Sequence, residues 1–206
     1  MTEIEKDKNR LLKLLKENAL KFGKIKLSSG KASDYYIDAK QVTLDPEGAY
    51  LTAKLFLDML KDEKFDAIGG LTIGADPIVG AIAAVSYQNN RPVQTFIVRK
   101  EPKKHGMQKY IEGRQLKPNS RVIIVDDVMT LGNSALKAIE VVKEAKCEIV
   151  KVIALVDRLE GARETLSRYN YELISIFTKE DFVDDKSKAQ AAEREPSKGI
   201  LSPKLI

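Results

Sequence analysis

A chain of 206 residues, 43% hydrophobic and 32% charged, has the make-up of an ordinary globular protein and can bury one substantial core. Its formal charge of +5 suits an anionic ligand, but no arginine-rich arm or basic-aromatic stripe accompanies it, so nucleic acid is not the expected partner. A single cysteine excludes a disulfide framework and a cysteine zinc site; the charged opening MTEIEKDKNR is no signal peptide, and no apolar run would span a membrane, so the expected location is cytoplasmic.

Thr2 and Glu5 stand at capping-box spacing, and Ile4, Leu11, Leu12, Leu15 and Leu20 recur at helical intervals. The spacing predicts an amphipathic helix at the start. Residues 25–40, IKLSSGKASDYYIDAK, read as two short strands around a Ser-Ser-Gly turn. Asp45 as N-cap and Pro46 as first helical residue predict a second helix that carries Leu51, Leu55 and Leu57 and ends near Lys61. From there strands are expected over 66–70, 93–99, 121–127, 149–157 and 171–177. Helices are expected over 77–87, 133–145 and 162–169. This alternation predicts an α/β fold whose parallel sheet is covered on both faces. The unbroken VIIV at 122–125 fits a central strand buried on both sides. Cys147 closes an apolar-periodic stretch and reads as a half-buried structural thiol.

Two segments break the rhythm. Residues 100–117 are charged and weakly periodic, and a connection that long is usually functional or mobile. Residues 184–206 form a charged tail with Pro196, Gly199 and Pro203, expected to be loosely ordered apart from a helical turn over 189–195. The expected organisation is one domain over 1–183 followed by that tail.

The densest chemistry lies in VIIVDDVMTLGNS, residues 122–134. Ligands of open α/β sheets bind beyond the carboxyl ends of the strands, which is where Asp126 and Asp127 fall. The turn after them enters a helix N-terminus, whose free N–H groups and dipole attract a phosphate. Gly132 permits close backbone approach, and Thr130 and Ser134 add hydroxyl donors. Carboxylates repel phosphate, so the acids must face another part of the same ligand, such as ribose hydroxyls or a metal ion. That arrangement suits a sugar phosphate. The stretch lacks a P-loop, and GGLTIG at 69–74 lacks dinucleotide spacing.

Residues 122–134 resemble the ribose-phosphate motif of the type I phosphoribosyltransferases: four hydrophobic residues, two acids, then Thr, Gly and Ser or Thr. Leu131 and Asn133 stand where Thr and Gly are commoner. The resemblance implies a central, mostly parallel sheet flanked by helices, a small N-terminal hood over residues 1–44 and a long flexible catalytic loop. It also implies that Asp126 and Asp127, with Val128, Met129, Thr130, Leu131, Gly132, Asn133 and Ser134, bind 5-phosphoribosyl diphosphate (PRPP).

Three further stretches narrow the family. RKEPKKHG at 99–106 resembles the catalytic loop of the orotate phosphoribosyltransferases, R-K-x-x-K-x-H-G. Read without the resemblance, it is a solvated basic loop. With it, Arg99, Lys100, Lys103 and His105 bind the diphosphate across the interface of a homodimer, and Lys103 and His105 join Asp126 and Asp127 as catalytic residues. LSSGKASDYYID at 27–38 resembles the signature that forms part of the orotate pocket, which implicates Tyr36; Ser28 stands where some members carry Lys. LVDRLEGARE at 155–164 is the third match. Its planar Arg158 guanidinium suits a carboxylate or imide edge, although a surface arginine paired with Glu160 would look the same. By resemblance Arg158 and Thr130 contact orotate. GGLTIGADP at 69–77 is similar to the family's pyrophosphate loop, without the lysine that some members carry there.

The implied reaction joins orotate to the phosphoribosyl group of PRPP through a ribose cation-like state, driven by positioning and charge stabilisation. Mg2+ is the implied cofactor, held mainly by substrate with no direct protein ligand expected. The decarboxylase domain fused to such enzymes in some organisms is not expected within a chain of this length. Two rival readings are the same fold acting on a purine base, and a nucleic-acid-binding regulator without catalysis. Arg158 and residues 27–38 speak against the first, and the full basic set of the loop against the second.

Overall fold

The computed structural model describes residues 1–26, 32–102 and 110–182. Lys103, His105, Ser28 with its turn and the tail over 184–206 lie outside the described residues. The chain opens with α1 (Glu3–Leu14), closed by the expected capping box: Glu5 N donates to Thr2 Oγ1 at 3.2 Å and Thr2 N to Glu5 Oε2 at 2.6 Å. Its buried residues Leu11 and Leu14 run into a π turn over Leu15–Ala19. Leu20, expected on the helix, instead begins β1 (Leu20–Lys26), opposite Ile37 of antiparallel β2 (Ala32–Ile37). The helix stops because Asn18 turns its side chain onto the Leu14 carbonyl and Asp38 N takes the Ala19 carbonyl. This hairpin is a two-stranded sheet of its own, at the position expected for the hood. A single helical turn, α2 (Lys40–Thr43), follows; the sequence reading had no place for it. Asp45 then caps α3 (Pro46–Met59), its Oδ1 accepting from Glu47 N and Gly48 N at 3.0 and 2.9 Å.

The main sheet holds β3 (Ala67–Leu71), β4 (Gln94–Val98), β5 (Ile111–Gly113), β6 (Arg121–Met129), β7 (Glu148–Asp157) and β8 (Leu173–Thr178). Their spatial order is β5-β4-β3-β6-β7-β8, with β5 antiparallel to β4 and all other pairs parallel. The α/β expectation therefore holds. β5 is an addition: three residues at the sheet edge, inside a charged stretch with no apolar pattern to reveal it. The connecting helices are α4 (Asp76–Gln88), α5 (Asn133–Glu144) and α6 (Ala162–Ser167), and a 3-10 turn over Lys179–Phe182 ends the described chain. No helix among the described residues is long and apolar enough to cross a membrane. Cys147 is buried rather than half-buried, and burial pushes its thiol pKa up.

The VIIV stretch shows why β6 lies at the centre. Ile123 and Val125 join the core beneath α1, α3 and α4, while Val122 and Ile124 join the core beneath α5 and α6. Successive strand residues face opposite sides, so a strand covered on both must be apolar throughout. Chain order adds the functional consequence. From β3 the chain passes to β4 on one side, and from β6 to β7 on the other. The gap between the carboxyl ends of β3 and β6 is thus the topological switch point, where open α/β sheets bind ligands.

Candidate active site

β6 continues to Met129, so Asp126 and Asp127 lie inside the strand rather than just past its end. Asp126 lines a cavity of about 180 Å³ whose other walls are Val128, Met129, Thr130, Leu131, Gly132, Asn133 and Ser134. Asp127 has Lys40 Nζ 3.5 Å from its Oδ2. Both are largely buried, at 7% and 8% exposure. Their outer oxygens are aimed by the backbone: Asp127 N donates to Asp126 Oδ1 at 3.0 Å, and Val128 N to Asp127 Oδ1 at 2.8 Å. Burial, and after it the charge of Asp127, holds the Asp126 carboxyl well above the usual carboxylate range.

The cavity floor is the helix entry that the sequence implied. Gly132 adopts φ 81°, a left-handed conformation that L side chains resist, and serves as N-cap of α5 without a side-chain hydrogen bond. The first-turn N–H groups of this 12-residue helix therefore face the cavity, beside the Thr130 and Ser134 hydroxyls. Behind the turn, the loop after β7 packs closely: a methyl on Gly132 would meet Ala162 at 3.6 Å, and Arg158 N donates to Met129 O at 2.9 Å. Asp157, fully buried, braces that loop by accepting from Leu159 N at 2.8 Å and Arg163 Nε at 2.6 Å.

Across the switch point stands the turn after β3. Gly74 lies against both acids, since a methyl there would stand 2.5 Å from Asp127 Oδ1 and 2.9 Å from Asp126 Oδ1. Thr72 Oγ1 donates to Asp76 Oδ2 at 2.6 Å, which secures the turn to the start of α4. The backbone of this turn thus forms one wall above the acid pair, with no room for a side chain.

The remaining predicted residues are distributed differently. Arg99 follows β4, but its guanidinium meets Glu112 Oε1 at 3.2 Å and the Glu101 carbonyl at 3.3 Å, on the β5 side. Lys100 is exposed. Arg158 is not a surface arginine: it is 2% exposed, with Nε 2.9 Å from Glu160 Oε1 and its guanidinium 4.6 Å from the centre of the Tyr35 ring. Tyr35, rather than Tyr36, is the tyrosine against Arg158, and Tyr36 points outward at 37% exposure. Lys40 is the residue that sequence reasoning missed. A lone lysine after a strand carries no periodic or motif signal, and only the fold brings it to Asp127. Among the described residues no three His, Cys, Asp or Glu side chains converge as a metal cage.

Comparison with known proteins agrees with this geometry. Residues 40–185 match the phosphoribosyl transferase domain model. An orotate phosphoribosyltransferase of Aquifex aeolicus is 48% identical over 174 residues, covering 83% of this chain and 94% of the relative. One from Rhodopseudomonas palustris is 43% identical over 178 residues, covering 85% and 95%. Among solved structures, Mycobacterium tuberculosis orotate phosphoribosyltransferase in complex with 5-phospho-alpha-D-ribosyl 1-diphosphate superposes with a TM-score of 0.71 at 32% identity, over 85% of this chain and 98% of that one. The strand order, the acid pair and these relatives lead to one conclusion: the chain belongs to the phosphoribosyltransferase family, among its orotate phosphoribosyltransferases.

Proposed function

We propose that this enzyme transfers the 5-phosphoribosyl group of PRPP to orotate, giving orotidine 5′-phosphate and pyrophosphate, a step in pyrimidine nucleotide synthesis. The observation that carries the reading is the junction of a phosphate-sized cavity at the start of α5 with two aimed carboxylates at the switch point. The similar Mycobacterium tuberculosis enzyme binds PRPP, which fits such a junction.

The 5-phosphate takes the cavity, receiving N–H donors from α5 and the hydroxyls of Thr130 and Ser134. Asp126 and Asp127 accept the ribose hydroxyls and hold C1 toward the gap below Gly74. As the C1–oxygen bond to diphosphate breaks, positive charge grows on the ribose ring and negative charge on the leaving group. Orotate N1 forms the new bond to C1 and gives up its proton to the departing diphosphate, so no protein nucleophile is needed. The two carboxylates beneath the ribose stabilise the cationic ring. Arg99, Lys100, Lys103 and His105, contributed by the neighbouring subunit of a homodimer, stabilise the departing diphosphate. Arg158, braced by Tyr35 and Glu160, holds orotate together with Thr130 and Tyr36. Mg2+, when bound with PRPP, would neutralise charge on the diphosphate; Asp126 and Asp127 would face it, with the ion carried mostly on substrate oxygens and water. The reaction takes place in the cytoplasm.

An ultraviolet assay of orotate consumption tests the reading. The enzyme consumes orotate when given PRPP and Mg2+, loses activity when Mg2+ is chelated, and leaves adenine and hypoxanthine untouched. Turnover of a purine base with none of orotate would overturn it.

A further inference from the structure

The carboxylate of Asp127 is bracketed on two sides. Its Oδ1 accepts from Val128 N and lies under Gly74, where even a methyl group would collide. Its Oδ2 faces Lys40 Nζ at 3.5 Å, and the same ammonium stands 3.0 Å from Asp38 Oδ1. Among the described residues, Lys40 is the one cation within ion-pair distance of either member of the acid pair. Lys40 belongs to α2 and Asp38 precedes it, so the lysine reaches the catalytic shelf from outside the main sheet. Its contact with Asp38 is the shorter one, and its side chain is partly exposed at the mouth of the site.

The charge balance gives this placement a purpose, on the reading proposed above. With the 5-phosphate in the α5 cavity and the ribose over the acids, the diphosphate on C1 emerges below Gly74. Two carboxylates lie at that point, and they repel a polyanion unless a cation sits with them. The turn after β3 cannot supply one from Gly74 itself, because no side chain fits there. Lys40 is already positioned at that spot and anchored through Asp38. We propose that Lys40 is a binding residue for the diphosphate end of PRPP: it stays tethered to Asp38, swings away from Asp127, and donates to a diphosphate oxygen as Asp127 takes up a ribose hydroxyl. The surrounding charges agree. Burial alone would make the Lys40 ammonium easier to deprotonate, but Asp127 and Asp38 outweigh it and keep the group firmly cationic.

Calorimetric titration of the full chain with three probes, each with Mg2+, tests this: PRPP, pyrophosphate and ribose 5-phosphate. Lys40→Met is expected to weaken PRPP and pyrophosphate at least about tenfold while leaving ribose 5-phosphate within about twofold, since an interaction present in the bound ground state shows as lost binding. Lys40→Arg restores most of the loss. In steady state, KM for PRPP rises in Lys40→Met and KM for orotate does not. Lys40→Gln keeps a donor to Asp38 without the charge and gives the same split should Lys40→Met unfold. Unchanged PRPP binding in these variants overturns the proposal, as does an equal loss for ribose 5-phosphate, which would make Lys40 a structural brace only. A wild-type protein that fails to bind PRPP overturns the proposed function instead, so the two failures are distinguishable.

Discussion

The turns after β3 and β6 lie side by side at the same end of the sheet, and each leads a strand into a helix. They are nevertheless built for different tasks. The β6 turn uses Gly132 for its left-handed φ, leaves Thr130, Asn133 and Ser134 around the opening, and encloses a cavity. The β3 turn uses Gly74 for closeness, commits the Thr72 hydroxyl to Asp76, and leaves Ile73 61% exposed. One turn receives a ligand; the other roofs the acids that lie between them. The same strand–turn–helix unit thus becomes receptor or roof according to where its hydroxyls point and which glycine property it uses.

The largest effect should come from the acids the two turns share. Asp126→Asn and Asp127→Asn are each expected to lower kcat/KM by on the order of 10²-fold or more, read by steady-state kinetics, with the circular dichroism spectrum unchanged. A loss confined to one of them would mean that only one of the two carboxylates serves the ribose. The next largest separates the roof from the receptor. Gly74→Ala displaces the acids and should lower kcat by about 10-fold to 10²-fold. Gly132→Ala should instead destabilise the fold by about 1–2 kcal/mol, because an L side chain must take up the left-handed conformation, and should raise KM for PRPP. Chemical denaturation and kinetics on the two variants read both quantities, and identical profiles would remove the distinction.

A smaller effect follows from the raised Asp126 carboxyl pKa, caused first by burial and then by Asp127. The folded chain holds this proton more tightly than the unfolded chain does. That contribution to stability is complete below the ordinary carboxylate value, about 4, and is lost as pH rises through the raised one. Asp126→Asn keeps the uncharged form at every pH. Without substrate it should therefore melt at a higher temperature than wild type near neutral pH and at the same temperature near pH 4. A gain that does not change with pH would contradict the assignment. The smallest effect is a control outside both turns: Asp45→Ala removes the α3 cap, should cost about 1 kcal/mol in denaturant titrations and should leave both KM values unchanged.

Legibility followed the physics of each segment. The central strand could be read because burial on both faces leaves no polar position, and its two acids stood out against that background. Thr2 and Asp45 could be read because caps are local contacts within a few residues. β5 could not, since a three-residue edge strand is held by backbone pairing with β4 and needs no apolar pattern. Leu20 was misplaced because its spacing suits a helix as well as a strand, and the Asn18 and Asp38 hydrogen bonds decide between them. The meeting of Lys40 with Asp127 and the burial of Arg158 against Tyr35 both depend on strand order and hood placement. No local window of the chain contains that information.

A crystal structure of the chain bound to PRPP and Mg2+ tests the central claim most directly. The account predicts the 5-phosphate in the cavity between Asp126 and Ser134, with the ribose hydroxyls on Asp126 and Asp127. A ribose phosphate bound elsewhere, with Asp127 still paired to Lys40 and the cavity at the start of α5 untouched, would contradict it.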